Sequence, residues 1–313
     1  MQVAIIGVYF GKFPTCFSLW LHSCKHNPDI QFYIFTDAAK EEYDVPDNVH
    51  WQHYTLQEMR QKADQVLGFA TGLTTPYKCC DFKVLYGLLF EEYLKEYDYW
   101  GCCDFDLIWG DLKHYMTTWN IAEYERFLPL GHLSLYRNTP ENNQRFKLSG
   151  SRLGDYRQVY SIQKNVGFDE DNGLNAIYEK HGLRFFTRRV FADISNSYSR
   201  FRCARKDLNY KNQVFFWRSG KTYRAYWLKG EIHEEEFMYV HFQKRGNLRV
   251  DAGCMDACGF FITNTGFYPM TRPCVTLDDI HTYNPCKYPW MWMEQLEKKK
   301  NQVLRHLKPN RKK

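Results

Sequence analysis

The sequence predicts an α/β protein with an open, mostly parallel sheet and a β-rich C-terminal part. Three observations predict it. Short apolar runs alternate with stretches of helical spacing from Val3 to Cys103. Two carboxylates, Asp104 and Asp106, follow the last of these runs, at the kind of sheet edge where α/β proteins bind ligands. A strongly β region then fills Val214 to Phe242.

The elements follow in order. Val3-Ala4-Ile5-Ile6 reads as a buried strand, closed by glycines and Pro14. Phe17 to His26 is amphipathic at helical spacing. Gln31 to Phe35 is a second strand ending at Thr36-Asp37, and Val49 to Tyr54 a third. Leu56 to Leu67 and Phe82 to Leu94 carry helical spacing, and Tyr97 to Cys103 is a strand. Strand, helix, strand in this order implies parallel pairing. Leu130 to Tyr136 predicts a strand and Gly173 to His181 a short helix. Val214 to Arg218, a turn at Ser219-Gly220, Thr222 to Leu228 and Glu236 to Phe242 predict further strands, and Trp290 to Leu307 a last helix. No internal repeat or Pro/Gly/Ser-rich linker interrupts the 313 residues, which predicts one continuous domain.

Composition bounds the class. At 44% hydrophobic and 25% charged residues the chain reads as globular. No apolar run reaches the length of a bilayer span, and Val3 to Val8, punctuated by Gly7 and Gly11, reads as a strand rather than a signal segment. Eleven cysteines without an export signal predict reduced thiols in a cytoplasm. Cys254, Cys258, Cys274 and Cys286 are too irregularly spaced for a recognisable zinc motif. Much of the net charge of +6 is crowded between Lys298 and Lys313. That tail reads either as a solvated end or as a peripheral contact with an anionic membrane face. No recognition motif accompanies it, which argues against nucleic acid.

The chemistry centres on Asp104-Phe105-Asp106. Two carboxylates one residue apart repel unless a cation or hydrogen bonds compensate them. A hard divalent cation, Mn²⁺ or Mg²⁺, suits carboxylate oxygens and can neutralise charge on a leaving diphosphate.

At these residues the sequence resembles GT-A glycosyltransferases, and specifically a branch of bacterial capsule and surface-polysaccharide enzymes. The resembling segments are IIGVYFGKFPTCFSLWLHSC at 5–24, FYIFTD at 32–37, YKCCDFKVLYG at 77–87, YDYWGCCDFDLIWGDL at 97–112 and GHLSLYRN at 131–138. FDEDNGLN at 168–175 and YVHFQK at 239–244 extend it more loosely. One departure is Gly7-Val8, where the family often carries proline. The resemblance implies a Rossmann-like open mixed sheet with helices on both faces. It divides the domain into a nucleotide-binding half (1–112), an acceptor-side half (113–288), and a C-terminal helix with a basic tail (289–313).

The resemblance also implies roles. Tyr9, Phe10 and Gly11 form a loop beside the nucleoside, and Thr36 and Asp37 face the base or ribose. Asp81, Lys83 and Lys244 serve the nucleotide sugar, though Lys83 also reads as an ordinary helix-surface lysine. His241 joins Asp104 and Asp106 as a third metal ligand, with His233 a weaker rival. Glu170, ahead of Asp169 and Asp171, is the expected general base on the acceptor; the same cluster also suits a helix start. His132, Tyr136 and Arg137 are expected against the acceptor sugar. The implied activity is metal-dependent transfer of a sugar, from a UDP-sugar by family analogy, to a glycan or lipid-linked glycan acceptor in surface-polysaccharide synthesis. Two other readings stay open: a metal-dependent nucleotidyl- or phosphotransferase, which lacks the expected glycine-rich phosphate loop, and a non-catalytic nucleotide-binding module.

Overall fold

A computed structural model describes residues 1–198, 200–245, 248–286, 296, 299 and 300. The chain forms two compact units. The first gathers Met1–Phe13, Asn27–Phe105 and Lys113–Arg189; the second gathers Pro14–His26, Asp106–Leu112 and the chain from Val190 onward. The fold class is mixed α/β, as the alternating pattern predicts.

A seven-stranded sheet spans the first unit, in the order Val49–His53, Ile30–Thr36, Val3–Tyr9, Tyr99–Cys103, Leu133–Arg137, Arg126–Leu130, Phe185–Phe186. The first four strands are parallel. Leu133–Arg137 then joins Tyr99–Cys103 antiparallel, which makes the sheet mixed. Every residue of Tyr99–Cys103 is buried, so this strand reads as an unbroken apolar run. Tyr9 lies opposite Thr36, so the first two strands end at the same edge.

Helix Leu56–Leu67 starts and stops where its sequence dictates. Thr55 and Glu58 form a reciprocal capping box, and Gly68 ends the helix in the left-handed region at φ 76°. Met59 and Ala63 face the core. The expected helix from Phe82 to Leu94 is instead a chain of short turns: Cys79–Phe82, Lys83–Leu85, Tyr86–Leu89 and Glu91–Leu94. The segment is buried on most sides rather than along one stripe, and Gly87 sits where a Cβ would lie 2.6 Å from the Trp100 ring. Packing overrides helical propensity there.

The expected strand Leu130–Tyr136 is also corrected. It straddles a hairpin, Arg126–Leu130 and Leu133–Arg137, that turns at Gly131-His132. Both arms are β-rich, so only the glycine marks the turn. The register shifts between Phe127 and Leu130, and Leu128 takes a left-handed φ of 72° in the bulge.

Among the described residues the second unit holds two sheets. One has six strands in the order Glu231–Phe237, Lys221–Leu228, Gln213–Arg218, Gly259–Ile262, Gly266–Pro269, Arg249–Val250. The expected turn at Ser219-Gly220 is present, with φ of 50° and 83°, as a tight hairpin requires. The other sheet has three strands, Leu107–Trp109, Tyr239–His241 and Ala192–Asp193, with Tyr239–His241 in the centre. The expected strand Glu236–Phe242 is thus two strands in two sheets. The chain changes sheet at Met238, whose N–H and carbonyl go to Val190 and Gly110. Both pieces are β-rich, so nothing local marks the break. Helix Phe17–Lys25 covers the smaller sheet through Leu19 and Ile108, and the Ser23 hydroxyl accepts the Trp109 N–H at 3.2 Å.

The expected helix Trp290–Leu307 and the basic tail lie outside the described residues, apart from Leu296, Lys299 and Lys300. Among the described residues no helix is long and apolar enough to cross a membrane.

Candidate nucleotide and metal site

In the first unit, the parallel strands bring several expected residues to one edge. The Asp37 carboxylate accepts the Gly11 N–H at 2.7 Å, tying the loop after the first strand to the end of the second. Gly11 has φ 94°, a conformation that favours glycine. Phe10 is buried, and the Thr36 hydroxyl accepts the Ala38 N–H at 3.2 Å. Tyr9 and Phe13 stack at 4.9 Å, and Phe105 packs edge-on against both. The Gly7 departure now has a reason: a Cβ there would lie 2.3 Å from the Phe105 ring. The aromatic residue of Asp104-Phe105-Asp106 is therefore a buried anchor, and it fixes where the motif leaves the sheet.

Lys83 is the electrostatic centre of this unit, not a surface lysine. It is 5% exposed. Its Nζ lies 2.5 Å from Asp104 Oδ1, donates to the Gly131 carbonyl at 2.8 Å, and stands 3.9 Å from Asp169 Oδ2. Burial opposes its charge, but Asp104 and Asp169 outweigh that and hold its pKa well above the ordinary value. Asp169 is buried, and burial pushes its pKa up to about 7 despite Lys83. Glu170 is exposed; partial burial raises its pKa, with Lys83 opposing the rise and Asp104 and Asp171 adding to it. Asp171 accepts a hydrogen bond from Asn175 at 2.9 Å.

Other expected residues are engaged within the fold. Asp81 is fully buried, pairs with Lys78 at 2.8 Å, and accepts the N–H groups of Val166 and Phe168. It anchors the segment leading into Asp169. Tyr136 points into the core, its ring 4.4 Å from Trp100. Arg137 donates to the Ala122 carbonyl and lies over the Tyr99 ring. His132 is buried, and its carbonyl accepts the Asp104 N–H at 3.1 Å.

In the second unit, the three-stranded sheet assembles Asp106, His241 and Asp193. Asp106 precedes Leu107, which pairs with His241 on one side; Asp193 pairs with His241 on the other. His241 Nε2 lies 3.4 Å from Asp106 Oδ1, and its Nδ1 lies 2.9 Å from Asp193 Oδ1. The Gln243 amide also donates to Asp193, at 2.8 Å. The Lys244 N–H donates to Asp106 Oδ2 at 2.5 Å. Gln243 and Lys244 both have left-handed φ values, 38° and 54°, which cost energy in residues with a Cβ. Burial opposes charge on both partners, yet each sustains the other: Asp106 is held below the usual carboxylate range and His241 above the usual imidazole range. His233, the rival histidine, stacks on Tyr226 at 5.4 Å.

These donors fit a divalent cation. Two ligands bound about 2.1 Å from one ion stand about 3 Å apart, close to the Asp106–His241 separation. A carboxylate on the far nitrogen is what commonly orients a metal-binding imidazole. Among the described residues no group of cysteines comes together as a ligand set.

The structure also engages Asp193, Gln243, Gly131 and Arg126, which the sequence does not single out. No local pattern distinguishes them, because each acts through partners distant in the chain.

Among solved structures, mouse xyloside xylosyltransferase 1 in its apo form is similar with a TM-score of 0.38 and 8% identity, over 63% of this chain and 89% of that one. Comparison with curated proteins finds no match. A model described as "Family of unknown function (DUF6625)" matches residues 5–271, most of the chain, and the protein belongs to that family.

Proposed function

We propose that the protein is a metal-dependent glycosyltransferase that uses a nucleotide-sugar donor. The observation that carries this reading is the Asp106–His241–Asp193 row, in which two ligand atoms face each other at 3.4 Å and the imidazole is held from behind. Asp104 is the further ligand that the motif supplies. When bound, Mn²⁺ or Mg²⁺ would neutralise charge on the departing nucleoside diphosphate. The chain's own residues do the rest. Asp37 and Gly11 shape the edge expected to receive the nucleoside. Lys83 holds Asp104 in place. Glu170 is the proposed base for an acceptor hydroxyl, a role that its exposure and raised pKa support.

The sequence resemblance supports a UDP-sugar donor and a glycan acceptor of surface-polysaccharide type, acted on in the cytoplasm with the basic tail at a membrane face. The test is calorimetric titration of UDP with and without Mn²⁺, followed by a screen of UDP-sugars for release of nucleoside diphosphate. Metal-dependent binding and diphosphate release support the reading. Release of pyrophosphate instead would assign a nucleotidyltransferase. No nucleotide binding in either condition would overturn it.

A further inference from the structure

Arg126 is fully buried, in strand Arg126–Leu130 of the first unit. Among the described residues its guanidinium bonds only neutral oxygens: Asn175 Oδ1 at 2.5 Å, the Ser134 hydroxyl at 3.0 Å and the Asp169 carbonyl at 2.9 Å. The rings of Tyr136 and Tyr178 pack on it, with its guanidinium carbon 5.4 and 5.9 Å from their centres. Its Nε makes no hydrogen bond among the described residues. Burying a cation against neutral acceptors is costly, and an apolar side chain of similar length would fill the space more cheaply. What an apolar side chain lacks is a rigid planar fork of donors.

The fork joins two irregular pieces of backbone. On one side is the bulged hairpin, where Leu128 is left-handed and Ser134 donates to the Leu128 and Leu130 carbonyls at 3.1 Å. On the other is a π-helical turn, Asp171–Asn175, directly after the Asp169–Glu170 pair. Asn175 completes the link by donating to the Pro129 carbonyl at 3.1 Å and to Asp171 at 2.9 Å. π-turns and left-handed non-glycine residues both concentrate at functional sites. Here both meet at one arginine.

We propose that Arg126, acting with Asn175, is a positioning residue that fixes the Asp169–Glu170 segment for proton removal from the acceptor. This rests on the glycosyltransferase reading above. Arg126 is fully buried, so the role is indirect: it sets where the carboxylates stand.

The test uses the full-length protein with Arg126→Lys, Arg126→Met and Asn175→Ala, the last serving if the arginine variants fail to fold. The first measurement is hydrogen exchange of residues 168–175, which needs no activity. The Leu174 amide, bonded to the Phe168 carbonyl at 2.7 Å, reports on the segment. Protection there should fall about tenfold or more while the strand Val3–Tyr9 stays protected. The second is kinetic: kcat should fall about 100-fold, with the dissociation constant for Mn²⁺-UDP within about twofold of wild type. Lysine should not rescue, because charge alone does not supply the fork. Unchanged exchange overturns the proposal, as does a loosened segment with unchanged kcat. If the wild type transfers no sugar, the glycosyltransferase reading fails by itself. The exchange measurement then still decides whether Arg126 holds the segment.

Discussion

His241 and Asp193 stand opposite each other on adjacent parallel strands, with Nδ1 and Oδ1 2.9 Å apart. That bond turns Nε2 toward Asp106. Asp193→Ala should therefore weaken Mn²⁺ binding about 10- to 100-fold, although Asp193 need not touch the ion. Titration followed by electron paramagnetic resonance of free Mn²⁺ measures this directly. Wild-type affinity in the variant would remove Asp193 from the metal site.

Asp106→Ala and His241→Ala should go further and abolish metal-dependent nucleotide binding. Each takes away a proposed ligand from a short row. Circular dichroism should show the fold retained. Nucleotide binding that persists at wild-type strength in either variant would place the metal elsewhere.

Glu170→Gln separates base chemistry from donor recognition. Glutamine keeps the size but cannot accept the acceptor's proton, so kcat should fall about 10²- to 10⁴-fold. Nucleotide affinity should hardly change. If turnover survives in Glu170→Gln and in the matching Asp169 and Asp171 variants, the acidic segment is only a helix start.

Gly131→Ala tests crowding at the hairpin turn. A Cβ there would lie 1.8 Å from Asp169 Oδ2, and the Asp169 carbonyl is tied to Arg126. The cost should be about 1–3 kcal/mol in urea denaturation. In an Asp169→Ala background the same substitution should cost much less, because the oxygen it meets is gone.

Asp169 gives the protein a pH dependence of defined sign. Its carboxyl has a pKa of about 7 in the fold against an ordinary 3.8, mainly through burial. The folded state therefore prefers the protonated form. The contribution is fully favourable below the unfolded pKa and is lost as pH rises to the folded one, by on the order of 1.4 kcal/mol per pH unit between the two values. Urea denaturation in EDTA at pH 5 and pH 8 should show this loss, and Asp169→Asn should flatten it. An identical slope in the variant would assign the titration to another group.

The sequence made some of this architecture legible and hid the rest, for physical reasons. Strand Ile30–Thr36 and helix Leu56–Leu67 announce themselves through apolar period and end chemistry, both local signals. Asp104 and Asp106 are visible because paired carboxylates after a buried strand need an explanation. Lys83 reads from sequence as a contact for the nucleotide sugar or as a helix-surface residue, and its burial stays hidden because its partners, Asp104, Gly131 and Asp169, lie 21 or more positions away. Asp193 meets His241 48 residues later, and Arg126 meets Asn175 49 residues later. Such pairings arise from sheet register, which hydrophobic pattern constrains by face but not by partner.

The interleaving of the two units along the chain bears on how the protein is made. A ribosome that has released residues 1–189 has supplied all of the first unit, but also Pro14–His26 and Asp106–Leu112, which belong to the second. Phe17, Leu19, Trp20 and Leu21 of that helix and Leu107, Ile108 and Trp109 of that strand are buried in the finished molecule. The strand's partners, Ala192–Asp193 and Tyr239–His241, come later. Until they emerge, the nascent chain carries an unpaired strand and an uncovered apolar helix, both hazards for association with other chains. A fragment ending at Arg189 should therefore aggregate although it contains a complete unit, and one beginning at Val190 should fail to close its smaller sheet. The smaller sheet of the second unit can close only after Tyr239–His241 has been made.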